Sequence, residues 1–179
     1  MTETLSDFFS ELSPVAEEQV LWLGGAIRLR LRVYLTDLLP ALEHITSVRA
    51  VLSTDDGCAV LRNADGMHAL PGGRREADES LESTLRRELL EETGCSVSSL
   101  QRLGVLHFQH LTAKPADYRY PYPDFAQAVF SVRGAAHFAL SDPDGYETSV
   151  EFVPPSRLDT IALPGYQRLL IAGALQLLG

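Results

Sequence analysis

The sequence predicts an α/β fold: a mixed β-sheet with helices on both sides, preceded by a mainly helical extension. Three observations predict it. Strand-like alternation recurs from Ser47 onwards, an amphipathic helix bounded by glycines interrupts it before Gly94, and two apolar helical segments close the chain. The extension is expected over residues 1–45 and a single domain over 46–179. A length of 179 residues suits one core.

In the extension, Leu5, Phe8, Phe9 and Leu12 share helical spacing until Pro14 breaks it, and mixed apolar periodicity then continues to Pro40. Arg28, Arg30 and Arg32 alternate with Leu29, Leu31 and Val33, which equally suits a strand with one basic face. Periodicity does not decide between the two. The extension is expected to pack on the domain or on a second subunit, so a homodimer stays open.

From Ser47 the strand signals begin. Residues 48–53 and 58–62 flank Asp55, Asp56 and Gly57, an acidic-glycine hairpin turn. The chain turns again at 63–66, returns over 67–70, and reaches Pro71, Gly72 and Gly73, where backbone without side chains can approach a ligand closely. Asp78 and Glu79 suit a helix start, Leu81, Leu85 and Leu89 give the helix a stripe to bury, and Gly94 suits its left-handed C-cap. Strands are expected over 97–111, with a break near Gly104, then 125–132 and 147–153, and helices over 154–163 and 165–178.

Composition narrows the partners. A formal net charge of -9 argues against a nucleic-acid partner held by its backbone. The apolar tract 20–26 is interrupted by Gly24 and Gly25 and is neither a signal peptide nor a membrane span. Cys58 and Cys95 form neither a disulfide framework nor a metal site by spacing, and free thiols in a reducing cytoplasm are expected.

The central helix carries the chemistry. Glu88, Glu91 and Glu92 are spaced i, i+3, i+4, so three carboxylates point one way. No Lys four residues on compensates Glu88 or Glu92, and Arg87 alone is placed to pair with Glu91 within the helix. A solvated acidic face is one outcome. A hard divalent cation that also holds substrate phosphates is the other.

The order Gly73, Glu79, then Arg87-Glu88-Leu89-Leu90-Glu91-Glu92-Thr93-Gly94 resembles the signature of the Nudix hydrolases, with small Cys95 where that family has a bulky aliphatic residue. The resemblance implies a Nudix-like α/β/α sandwich and a Mg2+- or Mn2+-dependent cleavage of a diphosphate bond in a small nucleoside diphosphate derivative. It implies Glu88, Glu91 and Glu92 as metal ligands with the Gly72 carbonyl, Arg87 orienting the carboxylates, and Glu79 supporting the helix start. Glu91, Glu92 or an acid in a later loop is the general base. Among Asp142, Asp144, Glu147 and Glu151, the first choice is Glu147. An inactive nucleotide sensor and an isoprenoid diphosphate isomerase using Cys58 are the alternatives on the same fold.

A second informative stretch spans 107–125. Tyr118, Tyr120 and Tyr122 interleave with Arg119 and prolines, a composition suited to stacking a nucleobase, or to covering a sheet edge. His107 and His110, three apart, fall on opposite faces of a strand.

Overall fold

The computed structural model describes residues 4–116, 118, 121–137, 145 and 147–178. The elements in chain order are α1 (Leu5–Ser10), β1 (Ala16–Trp22), β2 (Ile27–Leu35), β3 (Ile45–Thr54), β4 (Gly57–Asn63), β5 (Gly66–His68), α2 (Leu81–Thr93), β6 (Cys95–His110), β7 (Asp124–His137), β8 (Ser149–Val153) and α3 (Gly165–Leu178). A short 3-10 helix, Pro155–Thr160, occupies the stretch where the first closing helix is expected.

The strands form one mixed sheet in the order β1-β2-β6-β7-β3-β4-β5, with β8 paired to β4. β3 and β7 run parallel, and the other pairs described are antiparallel. One face packs under α2, where Leu85 and Leu89 meet Val48, Ala50, Leu52 and Phe130. The opposite face packs under α3, where Leu170, Ile171 and Ala174 meet Leu31, Val51, Leu106 and Val129. α1 lays Leu5 and Phe9 beside Tyr34, Val105 and Ala126.

The extension departs from expectation. Residues 4–45 are not mainly helical: one short helix precedes the β1–β2 hairpin, and β2 pairs with β6 from Leu29↔His110 to Leu35↔Gly104. Leu29, Leu31 and Val33 are fully buried, and Arg30 and Arg32 reach Glu17 of β1 at 3.4 and 2.7 Å. The alternating pattern suits either structure in isolation. The unpaired edge of β6 decides it, because only an extended segment satisfies that row of backbone groups.

One feature of the sheet positions the site. β3 and β4 pair only at their hairpin end, through Ser53↔Cys58 and Thr54↔Gly57. The segment after β5 fills the wedge between them, with the amides of Val48 and Ala50 donating to the carbonyls of Gly73 and Pro71, each at 2.9 Å. Gly72 sits there at φ +131°, and a Cβ on it would strike the Val48 carbonyl. Glycine is required at that point by both the angle and the space.

Candidate active site

α2 delivers the acidic residues to this wedge. Ser80, rather than Asp78, caps the helix, its hydroxyl accepting from the Ser83 amide at 3.0 Å, and Gly94 closes it in the left-handed conformation with φ +68°. Asp78 itself takes φ +68° just before the helix.

The carboxylates then divide into two groups. On the outer side, Arg87 forks onto Glu79 at 2.9 and 3.0 Å, and its Nη1 reaches Glu88 at 2.8 Å and Glu91 at 3.4 Å. Thr84 donates to the same Glu79 carboxylate at 2.8 Å. Arg87, then Thr84, hold the Glu79 carboxyl down at about 2, and Glu79 in turn raises the Arg87 guanidinium above its usual range. Burial pushes Glu88 upward against the opposing pull of Arg87. A Cβ on Gly73 would collide with the Glu88 carboxylate, so the bare glycine makes room for that group.

On the inner side, Glu92 lines a cavity of about 470 Å³ together with Gly72, Arg49 and Glu147. The Gly72 amide donates to Glu92 Oε2 at 2.7 Å, and Arg49 donates to the Gly72 carbonyl. Burial pushes the Glu92 carboxyl up to about 7, opposed by the Gly72 amide and Arg49 and reinforced by the charges of Glu147 and Glu88. Glu147, 5% exposed, approaches from the opposite wall, where His68 Nε2 lies 2.8 Å and Asn63 Nδ2 3.3 Å from its Oε1.

Thus Gly72, Glu92 and Glu147 share one cavity, while Arg87, Glu88 and Glu91 join Glu79 in the network beside it. The donor set suits a hard divalent cation: carboxylates on one helix face, one of them desolvated, next to Gly72, which lines the same cavity. Among the described residues no three acidic, His or Cys side chains converge on a common point as they stand, because Arg87 draws Glu88 and Glu91 to itself.

The aromatic loop holds itself. Tyr118 meets His110 at 2.9 Å through its hydroxyl and lines a neighbouring cavity of about 710 Å³, while Tyr122 is exposed and packs its ring on His110. Arg119, Tyr120, Asp142 and Asp144 lie outside the described residues. Glu151 is exposed and lies 3.8 Å from Arg157. His107 meets Asp124 at 2.9 Å and stacks on Phe9. Cys58 and Cys95 are free and buried, and burial raises both thiols. No helix among the described residues is long and apolar enough to cross a membrane.

Trp22, Arg49, His68, Asn63 and Gln127 are among the cavity residues that sequence reasoning passed over. The signal for two of them was present: Arg49 and Gln127 interrupt the apolar runs 48–52 and 125–130.

Comparison with known proteins agrees with this geometry. The NUDIX domain family model matches residues 43–171. The chain belongs to the Nudix family. It is 31% identical over 100 residues to a Bacillus subtilis (strain 168) protein provisionally named an 8-oxo-dGTP diphosphatase, an overlap spanning 55% of this chain and 58% of that relative. Among solved structures, a mutant of the pyrophosphohydrolase BsRppH of Bacillus subtilis superposes with TM-score 0.61 and 17% identity over 90% of this chain and 98% of that one. The NUDIX domain of Shewanella oneidensis NrtR, complexed with ADP ribose, superposes with TM-score 0.56 and 20% identity over 76% of this chain and 89% of that one. Both show the shared fold.

Proposed function

We propose that this protein is a Mg2+- or Mn2+-dependent hydrolase that splits a phosphoanhydride bond in a small nucleoside diphosphate derivative. The observation that carries the reading is the meeting of Glu92 and Glu147 across one cavity beside Gly72, with the rest of the acidic helix face adjoining.

Glu88, Glu91 and Glu92 would hold the ion with the Gly72 carbonyl. When bound, such an ion supplies charge neutralisation at the diphosphate and a water of lowered pKa. Arg87, paired with Glu88 and Glu91 in the network beside the cavity, would orient these carboxylates for such an ion. Glu147, fixed by His68 and Asn63, accepts the proton of the attacking water. The oxygen of that water bonds to phosphorus as the P–O bond to the leaving phosphate breaks, so no covalent enzyme species is required. Arg49, which lines the cavity and donates to the Gly72 carbonyl, is placed to contact a phosphate oxygen.

The test is product release from a panel of ADP-ribose, nucleotide sugars, dinucleoside polyphosphates, coenzyme A derivatives and nucleoside triphosphates, with 8-oxo-dGTP included because of the relative's provisional name. Turnover that requires Mg2+ or Mn2+ and collapses in Glu92→Gln supports the reading. A protein that turns over nothing, yet melts at a higher temperature with a bound nucleotide, is a sensor instead.

A further inference from the structure

The cavity holding Glu92 adjoins two others, and one side chain lines all three. Trp22, the last residue of β1 and the single tryptophan of the chain, stands at their junction. Its ring centre lies 5.3 Å from Phe108 and 5.7 Å from Phe125, and those two rings stack on each other at 5.1 Å. Both phenylalanines are buried, so they back the indole from within the core while its outer part stays accessible. Residue 22 precedes the segment 43–171 that matches the family, so this wall is supplied by the extension.

Gln127 faces the same space. It sits on β7 in register between Leu106 of β6 and Ser47 of β3, is 7% exposed, and lines both the Glu92 cavity and a second cavity of about 340 Å³. Its side-chain amide is not among the buried polar groups left without a partner, so its nitrogen and oxygen open onto the cavities that the residue lines. A primary amide that opens onto a cavity offers a ligand a donor and an acceptor side by side. The complementary partner is a planar group with an acceptor and a donor on one edge, which is what a nucleobase presents. Arg49 lines both cavities with this amide, and the first of them also with Glu92.

We propose that Trp22 and Gln127 form the nucleobase-recognition site of this protein: the indole stacks on the base, the Gln127 amide reads its edge, and the diphosphate is led past Arg49 towards Glu92. The inference rests on the hydrolase reading above and deepens it, because it makes the substrate a base-bearing nucleotide and names the side chains that select it. It gives the β1–β2 hairpin a role in specificity. Tyr118 of the tyrosine loop lines the adjoining cavity with Trp22.

Because Trp22 is the sole tryptophan, its emission reports the site directly. The full chain is titrated in EDTA with AMP, GMP, CMP and UMP, and with ribose 5-phosphate as the base-free probe. Saturable quenching by at least one nucleotide, with ribose 5-phosphate inert at the same concentrations, is expected. Gln127→Met, which keeps the shape and the fluorophore, weakens that nucleotide about tenfold. By calorimetry, Trp22→Ala weakens it about 5- to 100-fold while Trp22→Phe, which keeps a stacking ring and controls for folding, stays close to wild type.

Equal quenching by ribose 5-phosphate, no quenching by any of the four nucleotides, or unchanged nucleotide affinity in Gln127→Met overturns the base site. The hydrolase reading fails separately. Base-dependent binding in a protein without turnover removes the reaction and leaves the site, whereas turnover that ignores both residues removes the site and leaves the reaction.

Discussion

One helix places carboxylates in two environments, and the contrast between them explains the site. Glu79, just ahead of the Ser80 cap of α2, is gripped by a guanidinium and a hydroxyl and is held at about 2. Glu92, on the last turn, is half-buried beside other acids and pushed up to about 7. The first environment is complete without a ligand, and its ion pairs order the loop before the helix. The second is short of positive charge. A cation or a proton must supply it, and that deficit is what makes Glu92 receptive to a metal.

The contrast is broken most severely at Glu92 itself. Glu92→Gln removes the charge but keeps the shape, and kcat is expected to fall about 10²–10³-fold, the scale of losing one electrostatic contributor at the reacting centre. In EDTA the same variant is expected to be more stable than wild type at pH 8. The sign follows from the raised value: ionising Glu92 opposes folding, and that opposition grows as pH rises from 4.5 through about 7. The advantage therefore vanishes by pH 4.5 and below in thermal melts. A variant less stable than wild type at pH 8 removes the desolvation argument.

Next in size is Gly72→Ala. The new Cβ meets the Val48 carbonyl at a φ of +131°, which an L residue rarely adopts, so the wedge segment must shift. A loss of about 1–3 kcal/mol in urea unfolding is expected, together with a weaker Mg2+ dependence of activity. Wild-type stability in this variant means the segment is not held as described.

The outer network gives smaller effects. Arg87→Met leaves Glu79, Glu88 and Glu91 without their shared partner, and about 1 kcal/mol of stability is expected to go, reduced further in high salt. Glu79 adds a pH signature of opposite sign to Glu92. Its lowered value means that stability from the Arg87 pair is present above 4.5 and is lost as pH falls towards about 2. Acid unfolding of Glu79→Gln should be flatter across that window, and an unchanged acid limb would separate Glu79 from the stability of the loop.

What the sequence determined by itself is local. The stripe of Leu81, Leu85 and Leu89, the closing Gly94 and the row Glu88, Glu91 and Glu92 lie within a few helical turns, where spacing alone fixes which side chains share a face. The acidic-glycine hairpin after β3 is equally local. Family membership was legible for the same reason, since its signature is one continuous segment. Only the tertiary structure decided the rest. It resolved 16–35 into strands, because the partner edge on β6 lies some 70–80 residues away in sequence. It set Glu92 in a pocket and Glu91 on an arginine, although both belong to the same helical row. It gathered Trp22, Arg49, His68, Gln127 and Glu147 from five separate segments around one cavity. Periodicity reports which way a side chain faces on its own element, and sheet pairing across the whole chain determines what it faces.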